Sequence, residues 1–288
     1  MEKEMLAVVL ALCCMACASL NDFLFKLASG QRNGGRGAFV SLVGLVSFCV
    51  MLLFPADWQN WKMTLLWGVI SGLCSLVSNL LLIEAMERQS AGICSTIFRL
   101  NLVVVVLLAC LTMGEQLTIR QMIGVACAAG AVLCFLSMDS LPGASIRDAR
   151  LGLFLVILAC VIRAFMGLAY KYAFKFAGAN DQGVTQITCF LWIIGGALYG
   201  LWKDRPGARL PDRSTVKLGV ISGLLVAGII YFMAKSLLYG KASVVSPIAQ
   251  MSFLGTLLLS VVFLKEKITW RKALGMVGGL AAILLLCI

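Results

Sequence analysis

Histidine is absent from this sequence, and charge is scarce. Only 13% of its 288 residues are Asp, Glu, Lys or Arg, about half the usual share for a soluble domain. By contrast, 61% are hydrophobic, and the mean hydropathy is +0.99. A soluble chain of this length needs far more polar residues to cover its surface. A soluble enzyme, a disordered chain and a coiled coil are therefore excluded. Also missing is any G-x-x-x-x-G-K-S/T pattern for ATP. Without histidine, and with only two acids inside apolar runs, no metal cluster, nucleophile–base pair or carboxylate pair emerges. No enzyme activity, metal or cofactor is expected. The twelve cysteines all lie inside apolar runs, where they read as small packing residues. That includes Cys13-Cys14-x-x-Cys17, which has no aqueous loop around it.

What is present is a series of ten apolar runs, at about 5–28, 37–54, 63–86, 90–111, 118–138, 150–173, 183–202, 215–239, 242–263 and 269–288. A bilayer core needs roughly 20 apolar residues per helix, so each run is a candidate span. The first begins Met1-Glu2-Lys3-Glu4 and has no small-residue cleavage site near Leu20-Asn21-Asp22, so it reads as a retained helix rather than a signal peptide. The breaks are marked by Gly, Pro and charge, and the longest holds about fifteen residues. No soluble domain fits between the spans, so any function must reside within the helix bundle. The net charge is +11, and most of the basic residues sit in these breaks, which points to membrane orientation rather than nucleic acid.

The sequence also repeats itself. At an offset of 151 positions, Gly68-Val69-Ile70-Ser71-Gly72-Leu73 falls on Gly219-Val220-Ile221-Ser222-Gly223-Leu224. In the same register Ala91, Ser95 and Ile97 fall on Ala242, Ser246 and Ile248, and Glu115, Thr118, Arg120 and Gly124 on Glu266, Thr269, Arg271 and Gly275. An offset of 145 places Phe25-Lys26-x-Ala28 on Tyr170-Lys171-x-Ala173. The expected division is a five-helix repeat over 1–138, a connecting loop over 139–149 and a second five-helix repeat over 150–288. Five is odd, so the second copy enters the membrane from the opposite side. The expected fold is all-α and polytopic, with ten transmembrane helices in a five-plus-five inverted repeat. Such halves are related by a pseudo-two-fold axis in the membrane plane, with a substrate site near the midplane, as in many secondary transporters.

Ser246-Pro247-Ile248-Ala249 opens a helix, and Lys265-Glu266-Lys267-Ile268-Thr269 joins it to a Gly-rich last helix; Gly114-Glu115-Gln116-Leu117-Thr118 is the first-half counterpart. On these motifs the chain resembles the EamA family of the drug/metabolite transporter superfamily, over both halves. The resemblance implies ten helices that move small metabolites, often amino acids outward, across the cytoplasmic membrane. The sequence departs from the family pattern at Thr96, where the mate of Pro247 is missing, and at Arg99, in a helix that is normally mostly apolar. Thr118 and Thr269 suit helix N-caps, with Gln121 completing a capping box and Glu115 and Glu266 beside the helix starts. Gly124 and Ala128 fall on Gly275 and Gly279; small residues four apart suit close packing of the fifth and tenth helices.

Apart from those in the first four residues of a run, five bases lie inside the runs, Lys26, Arg99, Arg163, Lys171 and Lys235, and two acids, Asp22 and Glu84. A charge at the bilayer centre costs at least roughly 2.5–3.5 kcal/mol, so it faces a partner or a wet cavity. Arg99 and Arg163 are nearest the middle of their helices. Asp22 has the spacing to pair with Lys26, and Glu84 with Arg88 near a helix end. Lys26, Lys171 and Lys235 are supporting charges that also have a snorkelling interpretation. Asn79 continues a polar stripe with Ser71 and Ser75, and Ser95 with Arg99 corresponds to Ser246 with Gln250.

The excess of bases points to a substrate carboxylate held by Arg99 and Arg163. Asn79, Tyr170, Tyr231, Gln250 and Phe253 are expected to complete the site. An amino acid or organic acid is the expected substrate. The alternative is a neutral nucleoside- or drug-like solute, with Arg99 satisfied by helix carbonyls or by Glu84. A non-transporting scaffold has no need of midplane arginines. Protons are the candidate coupling ion, with Asp22 or Glu84 as carrier, and a monomer in the lipid bilayer is the expected state. The breaks after odd-numbered spans, with the run starts that follow them, hold fourteen of the 24 Lys and Arg. By the positive-inside rule those breaks are cytoplasmic and both termini outside, whereas the family is usually drawn with both termini inside. A C-terminal reporter active only in the cytoplasm is expected to stay silent; strong signal would reverse the orientation.

Overall fold

The computed structural model describes residues 2–30, 35–113, 118–136, 146–203, 211–239 and 248–287. They form α1 (Glu2–Gly30), α2 (Arg36–Met51), α3 (Trp61–Arg88), α4 (Ala91–Arg99), α5 (Asn101–Met113), α6 (Ile119–Leu136), α7 (Ile146–Lys175), α8 (Asp181–Lys203), α9 (Arg213–Tyr239), α10 (Ser252–Leu264) and α11 (Trp270–Cys287). No strand occurs among the described residues. The protein is an all-α, multi-pass membrane protein with ten spans. The fourth expected span is two helices, α4 and α5, and the ninth is α10 preceded by a helical turn at 248–250. α7 begins inside the connecting loop expected over 139–149. Ser246-Pro247 and Glu115 lie outside the described residues, as does the Gln121 side chain.

Local chemistry sets several helix ends. The Ser90 hydroxyl accepts from Ile93 N–H at 3.4 Å to open α4. The Asn180 side chain accepts from Gly183 N–H at 2.8 Å to open α8. Asp212 accepts from Thr215 N–H at 2.7 Å to open α9, and the Thr215 hydroxyl and N–H hold its carboxyl below the usual range. Beyond α7, Gly178 takes the left-handed conformation, φ 62°, that only glycine adopts without steric cost. The expected Thr269 cap contacts Lys272 N–H at 3.4 Å. Glu266 departs from expectation: its Oε1 accepts from Ala91 N–H at 3.0 Å, so it caps α4 of the other half rather than the helix that follows it.

Packing follows the repeat. α1 lies against α9, and its repeat mate α7 lies against α3. Asn21 meets Ser222 and Cys14 meets Ile229, an order that makes α1 and α9 antiparallel. α2 packs on α8, and α6 on α11, each pair being exchanged into itself by the pseudo-two-fold axis. The α6–α11 pair is the expected union of the fifth and tenth spans: a Cβ on Gly278 would touch Ala131 Cβ at 3.3 Å. Exposed Trp58 and Trp61 ring one end of the bundle, and Trp202 and Trp270 the other, as suits two membrane interfaces.

Without a hydrophobic driving force between helices in lipid, close backbone approach supplies the packing energy. The α2–α8 contact shows this most sharply. A Cβ on Gly37 would lie 2.3 Å from Gly200 Cα, and one on Gly196 2.6 Å from Ser41 N. Both obstacles are backbone, so neither can yield. Gly37→Ala is expected to cost about 1–3 kcal/mol by overpacking. Gly130→Ala, with nothing within 4 Å, is expected to be neutral or slightly stabilising through helix propensity. Thermal unfolding in detergent, with both variants compared to the parent, measures the difference.

Candidate functional site

The fourth and ninth spans break at repeat-related residues. Leu100 has φ −70° and ψ 2°, and Met251 has φ −71° and ψ 3°. Leu100 N–H bonds Ile97 O, and Val103 N–H bonds Leu100 O. In the 151-residue register, Met251 N–H bonds Ile248 O and Leu254 N–H bonds Met251 O. Each break is a tight turn of i→i+3 bonds. On the first-half side its cause is local. Thr96 Oγ1 donates back to Gly92 O at 2.7 Å, and Asn101 Nδ2 to Phe98 O at 2.7 Å. Such side-chain bonds compete with the helix ladder.

The two broken spans cross beside Arg99. A Cβ on Gly92 would lie 2.8 Å from Leu257 Cδ1. That contact and the repeat register bring Arg99 level with Gln250, its own repeat mate, at the pseudo-two-fold axis. Three buried atoms there have no hydrogen-bond partner: Arg99 Nε, Ser95 Oγ and Gln250 Oε1. The Arg99 Nη2 donates to Asp22 Oδ2 at 3.0 Å, with side-chain exposures of 14% and 5%. This ion pair joins α4 to α1.

Arg163, on α7, completes the constellation. Its guanidinium carbon lies 5.7 Å from the Phe98 ring centroid, a cation–π distance. Its Nη1 stands 3.5 Å from Ser75 Oγ, too long for a strong bond, while Trp192 Nε1 donates to the same oxygen at 3.2 Å. Arg163 lies within electrostatic reach of Arg99 and Asp22, yet no carboxylate pairs with it among the described residues. Two arginines and one aspartate leave one positive charge at the centre of the bundle.

The family model for the EamA-like transporter family matches residues 5–137 and 150–288, once in each half. The chain belongs to the EamA-like transporter family. It is thus a membrane transporter of the drug/metabolite type. A solved structure described only as a crystal structure of a protein superposes with a TM-score of 0.62 at 18% identity, covering 96% of this chain and 95% of that one. At that identity the likeness speaks for the fold alone. The comparison with curated proteins found no match.

The two membrane faces of this EamA-like transporter are packed differently. At the face of the basic breaks, α1 leans on α3, whereas the repeat-related α7 and α9 make no comparable packing among the described residues. The Lys26 ammonium donates to Met86 O and to Gln89 O, the latter at 2.8 Å, tying α1 to the end of α3. Gln89 Nε2 reaches Ala149 O on α7 at 3.0 Å. Glu84 anchors the same face: its carboxylate meets Arg36 at 3.1 Å, Arg88 at 3.0 Å and Lys203 at 2.8 Å, and accepts from the Tyr199 hydroxyl. Three spans are therefore joined through one carboxylate.

Several expected site residues have other partners in the structure. Asp22 does not pair with Lys26, because Arg99 occupies it and helix-end carbonyls occupy Lys26. Asn79 Nδ2 donates to Ser75 O of its own helix at 2.8 Å, which satisfies it locally. Phe253 is fully buried in the apolar core. Tyr231 is 40% exposed and packs with Phe54 and Phe232, with Lys235 Nζ 5.9 Å from its ring. From the antiparallel order of α1 and α9, it sits more than two turns from the level of Asp22. Tyr170 packs with Ala173, Ala179, Val184 and Trp67, though within electrostatic reach of Arg163. The Lys171 side chain lies outside the described residues. Glu84 is clasped at the end of the bundle, with Arg88, the partner its spacing suggested, among its contacts.

Sequence reasoning missed Phe98 and Trp192 at the site, and Arg36, Tyr199 and Lys203 at the clasp. Only Tyr199 and Lys203 carried a signal, an i,i+4 pair at a helix end. Because the Glu84 carboxylate is occupied, Glu84→Gln is expected to leave any proton-gradient dependence of flux intact. It is also expected to lower stability by roughly 1–3 kcal/mol through the cations left unpaired. Flux under an imposed pH gradient and thermal unfolding test the two halves of this expectation.

Proposed function

We propose that this transporter moves a small metabolite bearing a carboxylate, an amino acid or organic acid, across the cytoplasmic membrane by alternating access. The observation that carries this reading is Arg163, a mid-membrane guanidinium with an aromatic ring and a distant hydroxyl but no carboxylate among the described residues. A charge so placed calls for a partner, and a substrate carboxylate suits a planar guanidinium fork. Phe98 and Trp192 favour an apolar or aromatic portion beside it. Arg99, engaged by Asp22, borders the same space with its free Nε, and Gln250 with its free Oε1. Inverted halves with matching helix breaks suit alternating access. With the basic breaks in the cytoplasm, the face that Lys26 and Glu84 tie together is the inner one.

The test is uptake and efflux in proteoliposomes with a panel of amino acids and organic acids, each paired with its neutral amide. Arg163→Gln is expected to weaken carboxylate binding by roughly 2–5 kcal/mol, the cost of truncating a buried charge contact. Its effect on the amide should be much smaller. Equal handling of acid and amide by both parent and a folded variant would sink the carboxylate reading in favour of a neutral solute.

A further inference from the structure

The carboxylate reading above leaves one buried acid at the site unexplained. Asp22 lies against Arg99 with 5% of its side chain exposed. It holds the guanidinium through Nη2, while Arg99 Nε is buried without a partner, as are Ser95 Oγ one turn earlier on α4 and Gln250 Oε1 on the repeat-related span. An Arg offers a two-pronged fork to a carboxylate. Here one prong is taken and the adjoining one, Nε, has no partner. A carboxylate that met both prongs would use more of the fork than Asp22 does.

We propose that Asp22 stands in for the substrate carboxylate on Arg99 and yields its place on taking a proton, so that a proton and an anion are bound together. This rests on the carboxylate reading and adds a coupling sign to it. In the empty site the charges are Arg99 and Arg163 positive and Asp22 negative. A proton from water adds to the Asp22 carboxylate, and the Arg99–Asp22 ion pair opens. An incoming carboxylate then forms an ion pair with Arg99 and lies within the field of Arg163. One proton and one anion enter, so the loaded and empty sites carry the same charge. The sign is fixed by geometry. Asp22 and the anion repel each other and share one guanidinium, so removing the charge of one strengthens binding of the other. By linkage the effect is reciprocal.

The groups facing Asp22 leave it as the one carboxylate able to act this way among the described residues. From α4 comes Arg99, and from α7 Arg163 with Tyr170 behind it. On α1 itself, Cys14 lies two turns before Asp22, and Lys26, one turn beyond it, is bound to carbonyls. α9 presents Ser222, held to Asn21; α10 presents Ser252, whose carbonyl accepts from Ser19. α3 presents Ser75 and Asn79 at the level of the arginines, and its Glu84 is enclosed by cations at the end of the bundle.

The experiment measures binding of acetate, benzoate and phenylalanine, with the matching amides as controls, to the full-length protein in detergent between pH 5 and pH 8. Proton uptake on ligand addition is followed in weakly buffered solution. In the parent, affinity for at least one carboxylate is expected to rise as pH falls, approaching about tenfold per pH unit where one proton accompanies each anion. Asp22→Asn is expected to bind as tightly at pH 8 as the parent does at low pH, with no proton uptake. An Asp22→Asn protein that binds the acid more weakly than the parent, or keeps its pH dependence, overturns the proposal. Should that variant fail to fold, Asp22→Asn combined with Arg99→Gln removes both charges of the pair. Residual binding at Arg163 should then be independent of pH, and a retained slope overturns the idea. If no carboxylate binds the parent at any pH, the substrate reading itself has failed, and the coupling falls with it. Binding without pH dependence in the parent overturns the coupling alone.

Discussion

An ionised group inside a bilayer must be answered by another charge, by backbone dipoles or by water. That constraint organises this protein. Lys26 is answered by the carbonyls at the end of α3, and Glu84 by three cations and a phenol. Arg99 is answered by Asp22. At Arg163 the response among the described residues is an aromatic face and a distant hydroxyl. Each answered charge also joins helices, so charge neutralisation and helix assembly are achieved by the same contacts. Removing one partner from such a pair leaves a buried charge, which is far more costly than removing both.

The inverted repeat determines where this chemistry sits. The fourth and ninth spans break at Leu100 and Met251 with nearly the same backbone angles. Broken helices in lipid are tolerated where protein or water satisfies the freed backbone. Here Asn101 takes one freed carbonyl and Ser19 donates to another, that of Ser252. The breaks flank Arg99 and Gln250, so the axis that exchanges the two halves passes beside a cation on one side and an amide on the other. The halves share a backbone plan and differ in chemistry at its centre.

Much of the architecture was legible in the sequence, because spans and repeats are written along the chain. Run lengths near 20 residues marked the spans, and Gly68–Leu73 falling on Gly219–Leu224 set the register. The placing of Arg99, Arg163 and Asp22 within the spans was legible too, since apolar surroundings make a charge conspicuous. Their partners were not. Asp22 and Arg99 are 77 residues apart, and no periodicity says which helices become neighbours. Rotation of each helix was also hidden. In a soluble helix the polar face marks the outside, but in lipid both faces are apolar, so Tyr231 gave no sign of packing with Phe54 and Phe232. The helix breaks lack proline at Leu100 and Met251, and arise from short side-chain bonds that sequence patterns underdetermine.

The register that carries Leu100 onto Met251 also carries Glu84 onto Lys235. The first is a carboxylate encircled by cations; the second is a cation resting over Tyr231. Exchanging the conformations of the halves cannot rebuild the Glu84 clasp on the opposite face, because the acid at its centre has no acidic twin. On the alternating-access reading proposed above, the two extreme shapes of the carrier are unequal in free energy even when empty. Every 1.4 kcal/mol of that inequality skews their populations about tenfold. On that reading a carrier assembled from related halves has a built-in idle posture, the one in which the Glu84 clasp is formed, from which each working stroke departs and to which it returns.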